Sequence, residues 1–266
     1  MLAPLVIVLI ALGLLAGTFG ALVGLGGSII LVPVLTLMGI FPVRSAIGAG
    51  LLCVIASSSA AAGVYVRRGW VDVRLGMLLE LGTVAGAVAG AVVATLLPEA
   101  WLKALFGVFL LGAAVLMWRR PPSEAEEVGD TVPEYHARNY PLGLGVSTAA
   151  GGVSGLLGIG GGPIQVPLMY LAMDVPLKIA AATSNFIMGV TAAAGALLYY
   201  GRGEVIVALT GPLVLGVFLG AQLGSRLARR VQSRVIQLLL LVILLGLGVL
   251  MLGEAAGYTA PWRGAR

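Results

Sequence analysis

Two glycine-rich segments carry the residues best suited to binding chemistry. Residues 155–169 read GLLGIGGGPIQVPLM, and residues 24–33 read GLGGSIILVP. Because glycine and proline cost roughly 1 and 3 kcal/mol in a helix interior, each segment predicts a break in an apolar helix. A helix that begins after such a break presents unpaired N–H groups and the positive end of its dipole, and glycine lets a ligand approach the backbone. The expected chemistry is the binding of a small anion.

The predicted binding residues lie at the two breaks and at the head of one later helix. They are Gly26, Gly27, Ser28, Gly160, Gly161, Gly162, Gln165, Thr183, Ser184 and Asn185. The residues at the breaks would contribute backbone N–H groups, with Ser28 as an N-cap and Pro163 at the first helical position. Gln165 and Asn185 would donate from side-chain amides. Structural bonding between helices is the competing interpretation for the hydroxyls and amides.

The elements that position these residues must be membrane helices. The chain is 59% hydrophobic and 10% charged, with a mean hydropathy of +1.07, whereas soluble domains have roughly 25% charged residues. Segments of about the 20 residues that a bilayer requires lie at 45–66, 73–97, 99–118, 176–200, 204–226 and 233–253. The apolar N-terminus has no basic region or cleavage site, which favours a first membrane segment over a removed signal. We expect an all-α, multi-pass protein of the inner or plasma membrane.

The remaining composition disfavours several other classes of function. Cys53 is the single cysteine and His136 the single histidine, and no cluster of acidic residues and histidine recurs in the spans, so neither an enzyme nor a metal site is expected. The GIGGGP segment follows no strand and lacks the lysine of a phosphate-binding loop. The net charge of +5 is spread over loops, which suits membrane orientation better than nucleic-acid binding. Glu80 lies near a span end and is expected to snorkel, which leaves no carboxylate central enough to be a proton carrier.

The chain is expected to consist of two copies of one repeat. An offset of 134 residues aligns GLGGSIILVP with GIGGGPIQVP without a gap. The same offset aligns two glycine triplets that predict close helix packing, Gly82, Gly86 and Gly90 with Gly216, Gly220 and Gly224. The predicted units are a first transmembrane repeat at 1–118, a polar linker at 119–139 and a second repeat at 140–266. Each repeat would contain a broken or hairpin helix followed by three transmembrane helices.

The direction of the chain after each break decides how the repeats are related. Residues 4–39 would span about 54 Å as one helix, which is too long for one upright crossing and short for two. If the chain continues, the repeats are parallel and the basic residues divide nine to seven between the two sides. If it turns back, the repeats are inverted and the division is eleven to five. The positive-inside rule favours the inverted arrangement, with a cytoplasmic linker and both termini outside.

The paired motifs resemble the TauE/SafE family of membrane permeases, known as sulfite exporter-like proteins. The resemblance rests on both glycine-rich motifs and on the TSN sequence at 183–185, and it covers nearly the whole chain. It implies transport of small sulfur-containing anions such as sulfite, sulfoacetate or other organosulfonates. We expect a secondary transporter or facilitator, with an anion channel or a non-transporting membrane assembly factor as alternatives. The expected partners are a small anion and the bilayer. A coupling ion, proton or sodium, and a homodimer stay open, and no cofactor or nucleic acid is expected.

Overall fold

Ten α-helices account for most of the chain that a computed structural model describes, which comprises residues 2–23, 26–119, 135–227 and 233–258. In chain order they are α1 Leu2–Val23, α2 Ser28–Leu37, α3 Val43–Arg67, α4 Val73–Leu96, α5 Glu99–Arg119, α6 Tyr140–Leu157, α7 Gly162–Ala172, α8 Leu177–Gly201, α9 Val207–Leu227 and α10 Ser233–Ala255. Among the described helices, α1, α3, α4, α8 and α9 are long and apolar enough to cross a bilayer. The protein is therefore an all-helical, multi-pass membrane protein, as its composition predicts.

The helix bounds recur along the chain at an offset of 134 residues. Shifting α3 by this offset gives the bounds of α8, and shifting α2 gives 162–171, against Gly162–Ala172 for α7. Helix contacts recur in the same way, because α1 packs on α9 as α6 packs on α4, and α3 packs on α9 as α8 packs on α4. Each half thus contains a long helix, a short helix and three further long helices in the same order.

Local sequence signals explain where α3, α8 and α4 begin. Pro42 and Pro176 stand immediately before α3 and α8, where an extended proline suits the entry to a helix. Asp72 caps α4, since its Oδ1 accepts the Leu75 N–H at 2.9 Å. Residues 68–72 thus form a short connection between α3 and α4.

Glycine faces bring two pairs of helices into backbone contact. A Cβ added to Gly220 on α9 would overlap the carbonyl oxygen of Leu14 on α1, and one added to Gly86 on α4 would overlap that of Thr148 on α6. Both predicted triplets face a neighbouring helix in this manner, namely Gly82, Gly86 and Gly90 against α6, and Gly216, Gly220 and Gly224 against α1. The structure confirms them as packing faces, because only a residue without a side chain allows this separation.

The chain turns back at the first break. A Cβ added to Gly27 would lie 2.7 Å from the carbonyl oxygen of Ala16, whereas residues eleven apart in a continuous helix are about 16 Å apart. Helix α2 then runs beside α3, where the Ser28 Cβ lies 3.4 Å from the position that a Cβ would take on Gly50. At about 15 Å in length, α2 crosses only half of the hydrocarbon core.

Equivalent helices of the two halves cross in opposite directions. Near the start of α3, Gly48 lies against Tyr199 near the end of α8. Further along α3, Ser58 donates a hydrogen bond to the carbonyl oxygen of Asn185, which lies nearer the start of α8. Contacts between α5 and α10 follow the same opposed order. A two-fold rotation that exchanges α3 with α8 would therefore have its axis across the helices rather than along them.

The directions of the helices place the start of α1 and the end of α10 at one face of the bundle. Tyr65 near the end of α3 donates to the carbonyl oxygen of Ala21 near the end of α1 at 3.2 Å, so these two helices run the same way. Helix α5 follows α3 after two short turns and also runs this way, and α10 runs opposite to α5. Most of the predicted linker lies outside the described residues.

We expect both termini to lie on the external side of the cell membrane. The side that would collect eleven basic residues is opposite the start of α1, and the positive-inside rule makes that side cytoplasmic. Arg266 lies outside the described part of the chain. A reporter enzyme that works only in the external compartment should be active when it is fused after Arg266, and one that works only in the cytoplasm should be inactive. Activity at Arg266 from a reporter that works only in the cytoplasm would contradict this orientation.

Candidate functional site

The two glycine-rich breaks meet around a shared pair of side chains, Val54 and Met188. Gly26 and Gly160 have φ angles of +71° and +68°, a left-handed conformation that glycine adopts without strain. A Cβ on Gly26 would lie 3.3 Å from the Met188 sulfur, and one on Gly160 would lie 3.2 Å from the same atom; both would also contact Val54. The two breaks are therefore neighbours in space, although the residues that form them are 134 positions apart.

The short helices α2 and α7 begin at this junction. Helix α2 starts at Ser28 after Gly27, and α7 starts at Gly162 after Gly161, so that Pro163 is the second residue of α7 and not the first as expected. Ser28 is thus the first helical residue, and the expectation that it serves as the N-cap is wrong, because the turn has shifted the cap position to Gly27. The buried Ser28 hydroxyl has no hydrogen-bond partner among the described residues.

The helix starts present backbone donors, of which one is already used. The Gly162 N–H donates to the Gly160 carbonyl oxygen. The N–H groups of Gly160, Gly161 and Ser28 donate to no backbone acceptor among the described residues. Such groups carry the positive end of a helix dipole. Two helix starts at one junction, with N–H donors that have no backbone acceptor in the described part of the chain, form an arrangement that suits a small anion.

Gln165 is the predicted side-chain donor that lies against the second break. Its Cδ is 3.3 Å from the position that a Cβ would take on Gly161, and the Ser184 hydroxyl donates to its Oε1 at 3.4 Å. The side chain is completely buried, and its Nε2 has no partner within the described part of the chain. A buried amide donor without a partner costs stability, so Gln165 is well placed to donate to a bound anion.

Thr183 and Asn185 on α8 have different neighbours, because successive residues of a helix differ by about 100° in direction. The Thr183 hydroxyl accepts the Asp72 N–H at 3.0 Å, and it is thereby engaged at the start of α4 rather than at the breaks. Asn185 donates from Nδ2 to the carbonyl oxygen of Ala181 at 2.9 Å. Its Oδ1 is buried and has no partner among the described residues. Asn185 therefore keeps unused hydrogen-bonding capacity among the described residues, whereas the Thr183 hydroxyl is bonded at the start of α4.

The start of α4 also holds the end of the linker. Tyr135 donates to Asp72 Oδ2 at 2.5 Å. Burial raises the pKa of the Tyr135 phenol, and the hydrogen bond to Asp72 and the charge of Asp72 raise it further. The phenol therefore keeps its proton. The Arg138 N–H donates to the carbonyl oxygen of Met173 at 3.1 Å, just beyond α7. Residues 135–139 are thus tied to α4 and to the end of the helix that carries Gln165.

Ser154 is a buried hydroxyl that sequence reasoning missed. It is completely buried in the last turn of α6, and its Oγ has no hydrogen-bond partner among the described residues. Its carbonyl oxygen accepts the Gly158 N–H at 2.7 Å, which ends α6 at the break. The sequence signal was a serine one helical turn before the glycine-rich segment, and it is weak because serine in an apolar helix is commonly structural.

Every residue of the predicted set is buried in the structure. The side chains of Gln165, Thr183 and Ser184 have no exposed surface, and Asn185 is 1% exposed. A solute from water can therefore reach these groups only after helices move. The arrangement is that of a closed site between the two breaks.

Paired helix breaks enclosed by apolar, membrane-crossing helices are the architecture typical of membrane transport proteins. Irregular backbone at this depth is tolerated only where protein or a polar cavity satisfies it. The chain belongs to the sulfite exporter TauE/SafE family, which matches residues 9–251. The resemblance carried by the two glycine-rich motifs is thereby confirmed over nearly the whole chain.

Two relatives illustrate the extent of the similarity. The protein named "Probable membrane transporter protein YunE" of Bacillus subtilis (strain 168) is 32% identical over 218 residues, which cover 75% of this chain and 80% of YunE. The protein named "Probable membrane transporter protein ORF9" of Sinorhizobium sp is 29% identical over 253 residues, which cover 94% of this chain and 93% of ORF9. No solved structure matches the chain. The protein is therefore a multi-pass member of a membrane transporter family.

Proposed function

We propose that the protein is a secondary transporter or facilitator of small sulfur-containing oxyanions such as sulfite, sulfoacetate or a related organosulfonate. The observation that carries this proposal is the start of α2 and α7 at one buried junction, with N–H groups that donate to no backbone acceptor among the described residues. The Gln165 amide adds a donor at the same junction. A sulfite or sulfonate group presents several acceptor oxygens around one atom, which donors from two directions can bind together. The family description as sulfite exporters supports this class of substrate.

Asn185 is the second proposed side-chain ligand. One hydrogen of its amide nitrogen is used by Ala181, which leaves the other for the anion. Its Oδ1 has no partner among the described residues and would accept a hydrogen bond from a ligand that carries an O–H group. An anion that is itself protonated on one oxygen would satisfy both atoms of this amide.

We infer that transport proceeds by alternating access of two inverted halves. The opposed directions of α3 and α8 and the reversal of the chain at the first break support this relation. Val54 on α3 and Met188 on α8 both contact the breaks, so a tilt of one half against the other would open the junction towards one side. The burial of the whole predicted site supports a cycle with a closed intermediate.

Replacement of Gln165 by leucine is expected to weaken anion binding without loss of the fold. Leucine has a similar size and removes the donor, and loss of one hydrogen bond to a charged group costs about 1.5–3 kcal/mol. The dissociation constant should rise by about 10- to 150-fold. The measurement is the thermal stabilisation of the purified protein by increasing sulfite or sulfoacetate.

The matched control is Gln222→Leu on α9, which makes the same chemical change in a helix that carries neither break. This control should bind both anions as the wild-type protein does. Wild-type affinity in a folded Gln165→Leu variant would show that the Gln165 amide serves the structure and not the anion.

Flux in liposomes tests the proposed function directly. The purified full chain should move sulfite or a sulfonate with a rate that saturates as the substrate concentration rises, because each cycle must bind and release one anion. A rate that stays proportional to concentration would favour the channel alternative. Absence of flux for the whole panel, from protein that is folded and inserted, would favour the assembly-factor alternative and contradict the proposal.

A further inference from the structure

Glu80 is a carboxyl group within the membrane-crossing helix α4. It lies seven residues beyond the first residue of α4, about 10 Å along the helix axis. Its Oε1 is 2.9 Å from the Thr191 hydroxyl on α8, and its Oε2 is buried with no hydrogen-bond partner among the described residues. The expectation that Glu80 snorkels to the membrane surface is wrong, because the side chain turns to a neighbouring helix instead.

The Glu80 carboxyl group belongs to a closed ring of three oxygen contacts. The Thr191 hydroxyl is 2.9 Å from Glu80 Oε1 and 2.9 Å from the Thr83 hydroxyl. The Thr83 hydroxyl is in turn 3.0 Å from the Glu80 carbonyl oxygen. Both threonine side chains are completely buried. The ring thus joins α4 to α8 in the interior of the bundle.

A count of hydrogens shows which form of Glu80 fits this ring. Each of the three contacts needs one hydrogen between its two oxygens, and the two threonine hydroxyls supply only two. A neutral Glu80 supplies the third by donating from Oε1 to Thr191, after which Thr191 donates to Thr83 and Thr83 donates to the carbonyl oxygen. With an ionised Glu80, one contact would have two facing oxygens and no hydrogen. The geometry therefore fits a glutamic acid that holds its proton.

No cation compensates the Glu80 carboxyl group within the described part of the chain. The ionisable residues of α4 and of the helices packed against it, with the residue that follows α8, are Arg74, Tyr140, Lys178, Tyr199, Tyr200 and Arg202. Among the described residues, the Glu80 carboxyl group forms no ion pair, and its Oε1 is hydrogen-bonded to Thr191. Lys178, whose side chain lies outside the described part, is thirteen residues before Thr191, about 20 Å along α8. A charge on Glu80 would therefore be unpaired, which is costly at membrane depth.

We propose that the ring of Glu80, Thr191 and Thr83 is a proton-binding site, and that movement of its proton across the membrane is coupled to movement of the anion. The coupling rests on the proposed transport function. When the Glu80 O–H bond breaks, its electron pair stays on the carboxylate and the proton leaves to water. The ring then lacks one hydrogen, so the contact between α4 and α8 must rearrange. Asn185 lies on the same helix, about 9 Å along the axis from Thr191, so movement of α8 reaches the anion site.

Infrared spectroscopy of the purified full chain tests the proton site without any substrate. Near pH 7, where exposed carboxyl groups are ionised, the wild-type protein should show the C=O band of a protonated carboxyl group. Glu80→Gln should lose this band and keep the fold, because its amide N–H can donate to Thr191 as the acid does. The matched control Glu99→Gln removes an exposed carboxyl group at the start of α5 and should retain the band. Equal bands in the wild type and Glu80→Gln would overturn the proposal.

Sulfite uptake into liposomes tests the coupling. With one proton moving per monovalent anion, a pH difference of one unit should drive accumulation of up to about tenfold in the wild type. Glu80→Gln should still equilibrate sulfite but should not accumulate it. Accumulation by Glu80→Gln equal to the wild type, or accumulation driven by a sodium gradient at equal pH, would contradict the coupling. If the wild type moved no anion, the transport function would fail while the infrared band would still decide whether Glu80 binds a proton.

Discussion

Gly220→Ala is expected to prevent stable assembly of the bundle. A methyl group at this position would overlap the carbonyl oxygen of Leu14, which is backbone and cannot rotate away. Helices α1 and α9 would have to separate along their whole interface, because the neighbouring contacts at Gly216 and Gly224 are equally close. Overpacking costs typically 1–3 kcal/mol and sometimes more, and we expect about 3 kcal/mol or more here.

The measurement is the yield and melting temperature of detergent-purified protein. The matched control is Gly211→Ala on the same helix, where an added Cβ has no neighbour within 4 Å. The control should purify and melt as the wild type does. If the Gly220→Ala and Gly211→Ala proteins had the same melting temperature, close contact between α1 and α9 would not be required for stability.

The positions of the crossing helices could be predicted because they depend on local sequence. The segments expected at 45–66 and 73–97 correspond to Val43–Arg67 and Val73–Leu96. Apolar length, bounded by RRGWVD, was sufficient for both. The reversal at the first break needed a further argument, since glycine permits either path, and the distribution of basic residues favoured the path that the structure shows.

The partners of polar side chains could not be predicted, because they come from distant parts of the chain. The bond that the Thr183 hydroxyl accepts comes from the N–H of Asp72, which is 111 residues away. Glu80 was expected at the membrane surface, but it bonds to Thr191, also 111 residues away. Sequence spacing reports which side of a helix a residue occupies. It does not report which helix packs on that side, and this packing decides whether a hydroxyl supports the structure or remains available to a ligand.

The glycines of the second break have different reasons to be glycine. Gly160 has a φ of +68°, and an added Cβ would lie 2.8 Å from a methyl carbon of Val54. Gly161 has a φ of −46°, which alanine adopts readily, and the atoms nearest to an added Cβ would be those of the flexible Gln165 amide, at 3.3 Å or more. Conformation and packing therefore require glycine at position 160, whereas neither requires it at position 161.

Gly161→Ala is consequently expected to lose anion binding while keeping the fold. The added methyl group would push the Gln165 amide by a few tenths of an ångström and cover the N–H groups at the start of α7. The unliganded melting temperature should stay close to that of the wild type, and the stabilisation by sulfite or sulfoacetate should disappear. Gly160→Ala is the comparison, and it should melt early whether or not an anion is present. A Gly161→Ala protein that binds normally would show that the glycine-rich segment shapes the bundle and that the anion binds elsewhere.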